Sequence, residues 1–600
     1  MKNIIIILIL VAGCFLSAQA LNSIDYSIID TSIDLGDDFY RYASGIWLKN
    51  NSLPENRSRF GFFDLAENQT NSELISLMQK KNDAPLQTII STFFTSGMNS
   101  ISIELAGVST LEPQMELIQN ISTYTDLTQA LAYLQLIGVN PLFEIYSPKY
   151  WELRGTHYLY LYLRRSSNIM SDDPDLEIIQ KLTQNIPPPP SNYNLYSIKK
   201  LQRTFPNIQW EEYFKIFQIK EKKAVIAQPA YFELINDLLS EYSIEEWKTY
   251  LQWQLLQYAT KITESHPDQN LFVMQTIASC LPDLTGHLYT QNYFSSESRD
   301  EVHNIVTNLQ TAFKNRIADK DWLSSATKKK IEEKIDNFTF KIGEPDFYGS
   351  DYDNLQIDEY NFMQNVFNSC KFNTLLKLQN CGEIVKKEEW IVPAHSTNAW
   401  YSANRNDITL PAAYINQLFS PLNDKATNYA MLGPSIAHEM THSLDDTGRL
   451  YNADGKYKKW WKKSETRHFN ELTQKLIKQS ENYIIIDTLH INGKRSAGEN
   501  IADAGGLNIA WDAYKIATKN DTPAIIEGYT PEQRFFLAYA QKWRDILSDE
   551  LKRSYAAGYY HAPPEYRTNG NVYNIQDFYK AFNINSGRLY KQEKDRFIIW

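Results

Sequence analysis

Cysteine is scarce: four residues in 600, the first of them, Cys14, inside an N-terminal apolar run. The other three, Cys280, Cys370 and Cys381, cannot all pair, so a disulfide framework does not organise this fold. A Cys370–Cys381 bridge competes with three free thiols. Glycine and proline number 23 each, too few for collagen or low-complexity disorder. Positive charge is also short, with 60 Lys and Arg against 71 Asp and Glu, a formal net charge of −11. A polyanion would be repelled unless a strong local basic patch met it. The longest lysine cluster, Lys328–Lys330, runs into Ile331-Glu332-Glu333-Lys334 and reads as a solvated helix face. Nucleic acid is not expected as a partner.

Long hydrophobic runs are confined to the start. Lys2 precedes an apolar run from Ile4 to Leu16, too short to span a membrane but right for the core of an export signal. Ala18-Gln19-Ala20 has the small-x-small pattern of ordinary cleavage, giving a signal over residues 1–20. Val11-Ala12-Gly13-Cys14 offers a second reading, a lipoprotein box with the signal ending at 13 and a lipid anchor on Cys14. Phe15 and Leu16 continue the apolar core past that cysteine, which favours the first. The expected location is therefore outside the cytoplasm, secreted or periplasmic, free or tethered by a lipid. Oligomeric state is not readable.

Aromatic residues are plentiful at 13%, with 38 Tyr and 13 Trp, enough for large cores. A polar stretch to about Leu35 reads as a flexible lead. From Asp37 to about Gly343 the pattern is helical, as in Leu127–Ile137, Glu245–Ile262 and Glu301–Asn337, and the Pro187–Pro190 tract marks an internal loop. Between Gly343 and Ala394 periodicity weakens. Strand-like pieces follow at Glu389–Val392 and Ile408–Leu410, and helix returns near Ile436. The expected fold class is mainly α with an α/β C-terminal part, divided into residues 37–345 and 346–600.

The decisive feature is His438-Glu439-Met440-Thr441-His442. Residues four apart share a helix face, so both imidazoles can bind one metal ion while Glu439 reaches its water. With 10 His in the chain, roughly 0.01 such patterns are expected by chance. Pro434 suits the first turn of this helix. A third ligand is needed. Asp445 and Gly448 exclude the three-histidine arrangement, which would place Gly and His there. A carboxylate from a later helix remains, and Gly498-Glu499-Asn500-Ile501-Ala502-Asp503 offers Glu499 as a candidate for the metal and Asp503 for the outer nitrogen of a histidine, although Glu-x-x-x-Asp alone is a common pattern.

These segments resemble the neprilysin and endothelin-converting-enzyme family of zinc metalloendopeptidases. The resemblance rests on His438–Asp446, Gly498–Gly506, Asn398-Ala399-Trp400-Tyr401, and His561-Ala562-Pro563 with Arg567; Asp38–Trp47 and Lys341–Asp346 extend it over about residues 37–600. It implies a thermolysin-like zinc-peptidase domain facing a large helical domain around an internal cavity that admits oligopeptides. It implies one Zn2+ per chain on His438, His442 and Glu499, and Glu439 as general base towards a zinc-activated water. His561 would stabilise the oxyanion, Arg567 a substrate carbonyl, and Asn398 and Ala399 the peptide backbone as an added strand. Asp503 and Asp445 would orient the histidines. Tyr42–Trp47 would pack onto the catalytic domain.

The chain departs from the family at several positions. Ala437 and Ser443 replace glycines beside the motif, and Ser44 and Phe597 stand where animal members have cysteines. Pro434 and Ser435 stand where apolar side chains often line the specificity pocket, which weakens any expectation of a hydrophobic residue on the leaving-group side. No Gly-x-Met-Glu-Asn segment precedes His438 to bind a free amine, as an aminopeptidase would require.

Overall fold

The computed structural model describes residue 21 and residues 23–146, 156–163, 177–182, 194–347 and 349–600. The export signal, Cys14 and the Pro187–Pro190 loop lie outside the described residues. The fold is mainly helical. The chain forms two compact units and passes from one to the other at 73/74, 288/289, 345/346 and 393/394. The units interleave along the chain, 289–345 grouping with 394–600 and 346–393 with 74–288, where the sequence suggested a single division into 37–345 and 346–600.

One unit comprises residues 74–288 and 346–393. Its core holds Phe205, Trp210, Tyr213, Phe232, Trp247 and Tyr250, all nearly inaccessible. The polar tips of Trp210, Tyr213 and Tyr250 are satisfied internally. Trp210 Nε1 donates to Phe205 O at 3.0 Å and Tyr213 OH to Gln135 Oε1 at 2.6 Å. A four-stranded sheet that periodicity did not reveal lies here, in the order Glu144–Tyr146, Leu159–Tyr162, Lys223–Ile226, Asn194–Ser197. These strands have three or four residues each, too few to show alternation.

The weakly patterned stretch after Gly343 contains a 17-residue helix, Phe362–Leu378, which returns Met363, Phe367 and Leu378 to this core. Its periodicity is blurred because polar Asn365 and Ser369 are buried among them, and Asn365 Nδ2 donates to Ser96 Oγ at 2.9 Å. Glu389–Val392 is not a strand. Cys370 Sγ lies 3.3 Å from Cys280 Sγ, and none of the three described cysteines is in a disulfide.

The second unit comprises residues up to 73, 289–345 and 394–600. Helix α1 (Phe39–Asn50) starts at Asp38, whose side chain accepts from Arg41 N. It packs by Phe39 N donating to Tyr573 OH and by Tyr40 OH exchanging hydrogen bonds with Asp545. The expected flexible lead is tied down from Asp25 on. Gln541 accepts from Asp25 N and donates to Asp25 O, and Tyr26 stacks on Tyr529. The Glu301–Asn337 pattern is two helices, Ser296–Ala318 and α2 (Ser325–Asp336).

A three-stranded sheet runs β1 (Thr339–Gly343), β3 (Asp407–Pro411), β2 (Trp400–Ser402), with β1 parallel and β2 antiparallel to the central β3. This leaves β2 at the edge. Helix α3 (Gly433–Thr441) has Pro434 in its first turn, where no donor is lost. It lies against α4 (Ala497–Ala517), and α5 (Pro531–Lys542) and α6 (Pro564–Val572) complete the surroundings.

The approach of α3 and α4 depends on Gly506. A Cβ there would stand 2.8 Å from Pro434 O and 2.9 Å from His438 N, both backbone atoms that cannot rotate away. Gly506→Ala should therefore destabilise by about 1–3 kcal/mol through overpacking, against a helix-propensity gain of about 0.5–1 kcal/mol. Chemical denaturation checks this. A variant at least as stable as the wild type would contradict it.

Candidate metal centre and active site

His438 lies in the body of α3, and His442 follows in a short 3-10 turn that continues it, so both rings face the same side. Their Nε2 atoms are 3.0 Å apart. Across the interface, Glu499 and Asp503 sit one turn apart on α4. Glu499 Oε2 is 3.2 Å from His438 Nε2 and 3.5 Å from His442 Nε2. Asp503 Oδ1 holds His438 Nδ1 at 2.9 Å, and Asp445 Oδ2 holds His442 Nδ1 at 2.7 Å. With each Nδ1 directed at a carboxylate, the Nε2 lone pairs and the Glu499 oxygen converge on one point.

That convergence tests the fit of a metal. Three electron-rich atoms 3.0–3.5 Å apart, Glu499 Oε2 buried and without a conventional hydrogen bond, repel one another unless protons or a metal ion lie between them. The spacing is that of neighbouring ligands around a tetrahedral ion with bonds of about 2.0–2.2 Å. Among the described residues His438, His442 and Glu499 are the group able to hold such an ion. The donor set, two imidazoles and a carboxylate, suits zinc with one position open.

The surrounding charges are ordered. Burial opposes a charge on either ring, yet the Asp503 and Glu499 carboxylates raise His438, and Asp445 and Glu499 raise His442 further, above the ordinary imidazole value. Burial also opposes the charge on Asp503, but Arg567 and His438 hold it well below the usual carboxylate range. Arg567 donates through Nε at 2.7 Å and Nη2 at 2.6 Å to Asp503 and stacks over Trp543 at 3.9 Å. The expected substrate-facing arginine is thus also the anchor of Asp503. His561 Nε2 stands 3.1 Å from Glu499 Oε2, at the edge of the ligand set.

Glu439, His561, Arg567, Asn398, Tyr414 and Ser435 line one cleft of about 400 Å³. Asn398 is exposed and Ala399 buried, immediately before edge strand β2. Of the ten residues singled out from sequence, Asn398, His438, Glu439, Asp503, His561 and Arg567 line this cleft, while His442 and Glu499 meet His438, Ala399 follows Asn398, and Asp445 lies behind His442.

Two lysines were missed. Lys334 on α2 is fully buried, and its Nζ donates to Ser443 O, Gly448 O and Tyr451 O at 2.7–2.8 Å. It staples the loop carrying Asp445, whose Oδ1 also accepts from Thr447 N and Gly448 N. The solvated-face reading of this helix fails at Lys334. A signal existed, since Lys334 falls on the stripe Thr327, Ile331, Ile335 that faces inward. The other is Lys542, the last residue of α5, buried in the wall of the cleft. Burial pushes the ammonium groups of both down to about 7.

Paired helix-borne imidazoles, a carboxylate from a second helix and an adjacent glutamate over a peptide-sized cleft define a zinc-dependent peptide hydrolase. The chain belongs to peptidase family M13. Residues 398–598 match that family, and residues 35–173 and 167–345 match its N-terminal part under the same description. It is 25% identical to neprilysin of Mus musculus over 676 residues, covering 94% of this chain and 90% of the mouse protein. It is 24% identical to an endothelin-converting enzyme homolog of Locusta migratoria, with the same two coverages. The zinc metalloprotease Zmp1 of Mycobacterium tuberculosis, solved in an open state, superposes with a TM-score of 0.80 at 25% identity over 95% of this chain and 100% of that one. PepO of Lactobacillus rhamnosis shares the fold at a TM-score of 0.76 and 20% identity, over 95% of this chain and 100% of that one.

Lys334→Met removes three charge-assisted hydrogen bonds from the loop behind His442. Zinc affinity should fall about 10–100-fold, the range for lost support of a ligand, read by competition with a chelator. Unchanged affinity in the folded variant would show that the loop holds its shape without the lysine.

Proposed function

We propose that the protein is an exported endopeptidase that hydrolyses internal bonds of oligopeptides, with His438, His442 and Glu499 as the zinc ligands. The observation that carries this reading is the placement of Glu439. Its carboxylate lies on α3 between the two ligand histidines and lines the cleft that also contains Asn398, His561 and Arg567. Zinc in the site would acidify water and polarise a carbonyl. Glu439 is placed to take the proton of the attacking water and pass it to the departing amine, a transfer that contributes about 10²–10⁴-fold.

His561 stands beside the ligand set, where a donor can meet the negative charge of the tetrahedral intermediate. Arg567 keeps guanidinium hydrogens beyond those used on Asp503, and they can reach a substrate carbonyl. Residues 398–399 lead into edge strand β2, so a peptide backbone can add alongside it. Asp503 and Asp445 act as positioning residues through the histidines they hold. Export rests on the signal-like residues 1–20. No described helix is long and apolar enough to cross a membrane.

Hydrolysis of an N-blocked, internally quenched peptide tests the reading. Cleavage should vanish on chelation, return with zinc, and fall by about 10²–10⁴-fold in Glu439→Gln at unchanged zinc content. Loss of cleavage on blocking the N-terminus would point to an aminopeptidase. A zinc-loaded protein that cleaves no member of a varied peptide pool would point to a binding protein on a peptidase scaffold.

A further inference from the structure

The cleft wall holds a cation that the mechanism does not use. Lys542 is 1% exposed, yet it lines the same cleft as Glu439. Its Nζ donates to Met431 O at 2.9 Å and Ser435 Oγ at 3.2 Å, and the rings of Tyr539 and Trp543 lie 5.4 and 5.3 Å away. An ammonium has three donors, so these two acceptors leave one hydrogen without a conventional acceptor among the described residues. No carboxylate among the described residues forms an ion pair with it. The acidic groups nearby are engaged elsewhere: Asp503 by Arg567 and His438, Asp64 and Asp545 by Arg59. Glu67 lines the cleft too, but it is exposed to solvent.

The position of Lys542 relative to the chemistry follows from α3. Ser435, its hydroxyl partner, is four residues before Glu439 and therefore one turn away on the same helix face. The carboxyl that protonates the departing amine marks the side on which the amine-bearing part of the substrate lies. Lys542 is thus beside the residue that supplies the scissile nitrogen. An aliphatic side chain there would leave a buried ammonium with an unused donor. A carboxylate would accept it in a charge-assisted bond, with the lysine already desolvated and held by the fold.

We infer that the enzyme selects peptides bearing a carboxylate on the leaving-group side of the scissile bond, and that Lys542 is the specificity-determining residue that reads it. Two sources carry this chemistry: the side chain of Asp or Glu directly after the bond, and the terminal carboxylate of a peptide cut close to its end. The inference rests on the peptidase reading above and names its substrate class.

The test uses the full zinc-loaded chain and N-blocked quenched peptides that differ only after the bond. One set carries Glu, Gln, Leu or Phe there with an amidated C-terminus. A second keeps Leu and compares free with amidated termini one residue further on. For the wild type, kcat/KM with Glu should exceed Leu by about tenfold or more, with Gln between, as expected when a buried polar group is matched rather than left unpaired. In Lys542→Met the Glu-to-Leu ratio should fall to one or below, and Lys542→Glu should turn the preference towards Lys. The wild-type ratio decides even if neither variant folds. Acceleration by a free terminus alone would support the inference with the terminal carboxylate as its source. A wild type that prefers Leu or Phe, indifferent to the terminus, would overturn it while leaving the peptidase reading intact. No cleavage of any peptide would overturn both.

Discussion

The near-contact of α3 and α4 at Gly506 is the constraint on which the site depends. Only where a helix presents no side chain can the backbone of the other come within about 3 Å of where a Cβ would stand. That closeness sets Glu499 and Asp503 opposite His438 and His442. Asp503 then reaches the far nitrogen of the same imidazole whose near nitrogen faces Glu499. One pair of helices therefore supplies the ligands and most of their support. A displacement of a fraction of an ångström between them would loosen both at once.

Support extends outward through a chain of opposite charges. Arg567 neutralises Asp503 and lies over the Trp543 ring, while Asp445 is met by two backbone N–H groups in a loop held by the Lys334 ammonium. Buried polar networks of this kind are stable only when each member is satisfied. Glu499 Oε2 lacks a conventional partner, and it lies at the point where a metal ion would sit. The same arrangement leaves Glu439 facing the cleft.

The residues proposed to hold the metal were legible in the sequence because their geometry is local. Helical periodicity places His438 with His442 and Glu499 with Asp503, and no tertiary knowledge is needed to see either pair. Joining the two pairs, and adding His561, Arg567 and Asn398, took resemblance to a family, since nothing in the spacing links residues 40 to 130 positions apart. What stayed hidden depends on contacts distant in sequence. Helix Phe362–Leu378 buries polar residues among apolar ones, so its pattern faded. The polar lead is fixed by Gln541, more than 500 residues away. Lys334 and Lys542 look like ordinary charged residues until the fold shows three carbonyls around one and a cleft beside the other.

The central claim is that two imidazoles and one carboxylate, held by that helix contact, form a zinc centre. The X-ray absorption spectrum at the zinc edge of the loaded protein tests it most directly. The account predicts a four-coordinate ion with two histidine nitrogens, oxygen in the remaining positions and metal–ligand distances of about 2.0–2.2 Å, with one histidine contribution lost in His442→Ala. Sulfur scattering, or a spectrum unchanged by that substitution, would place the metal elsewhere and contradict the account.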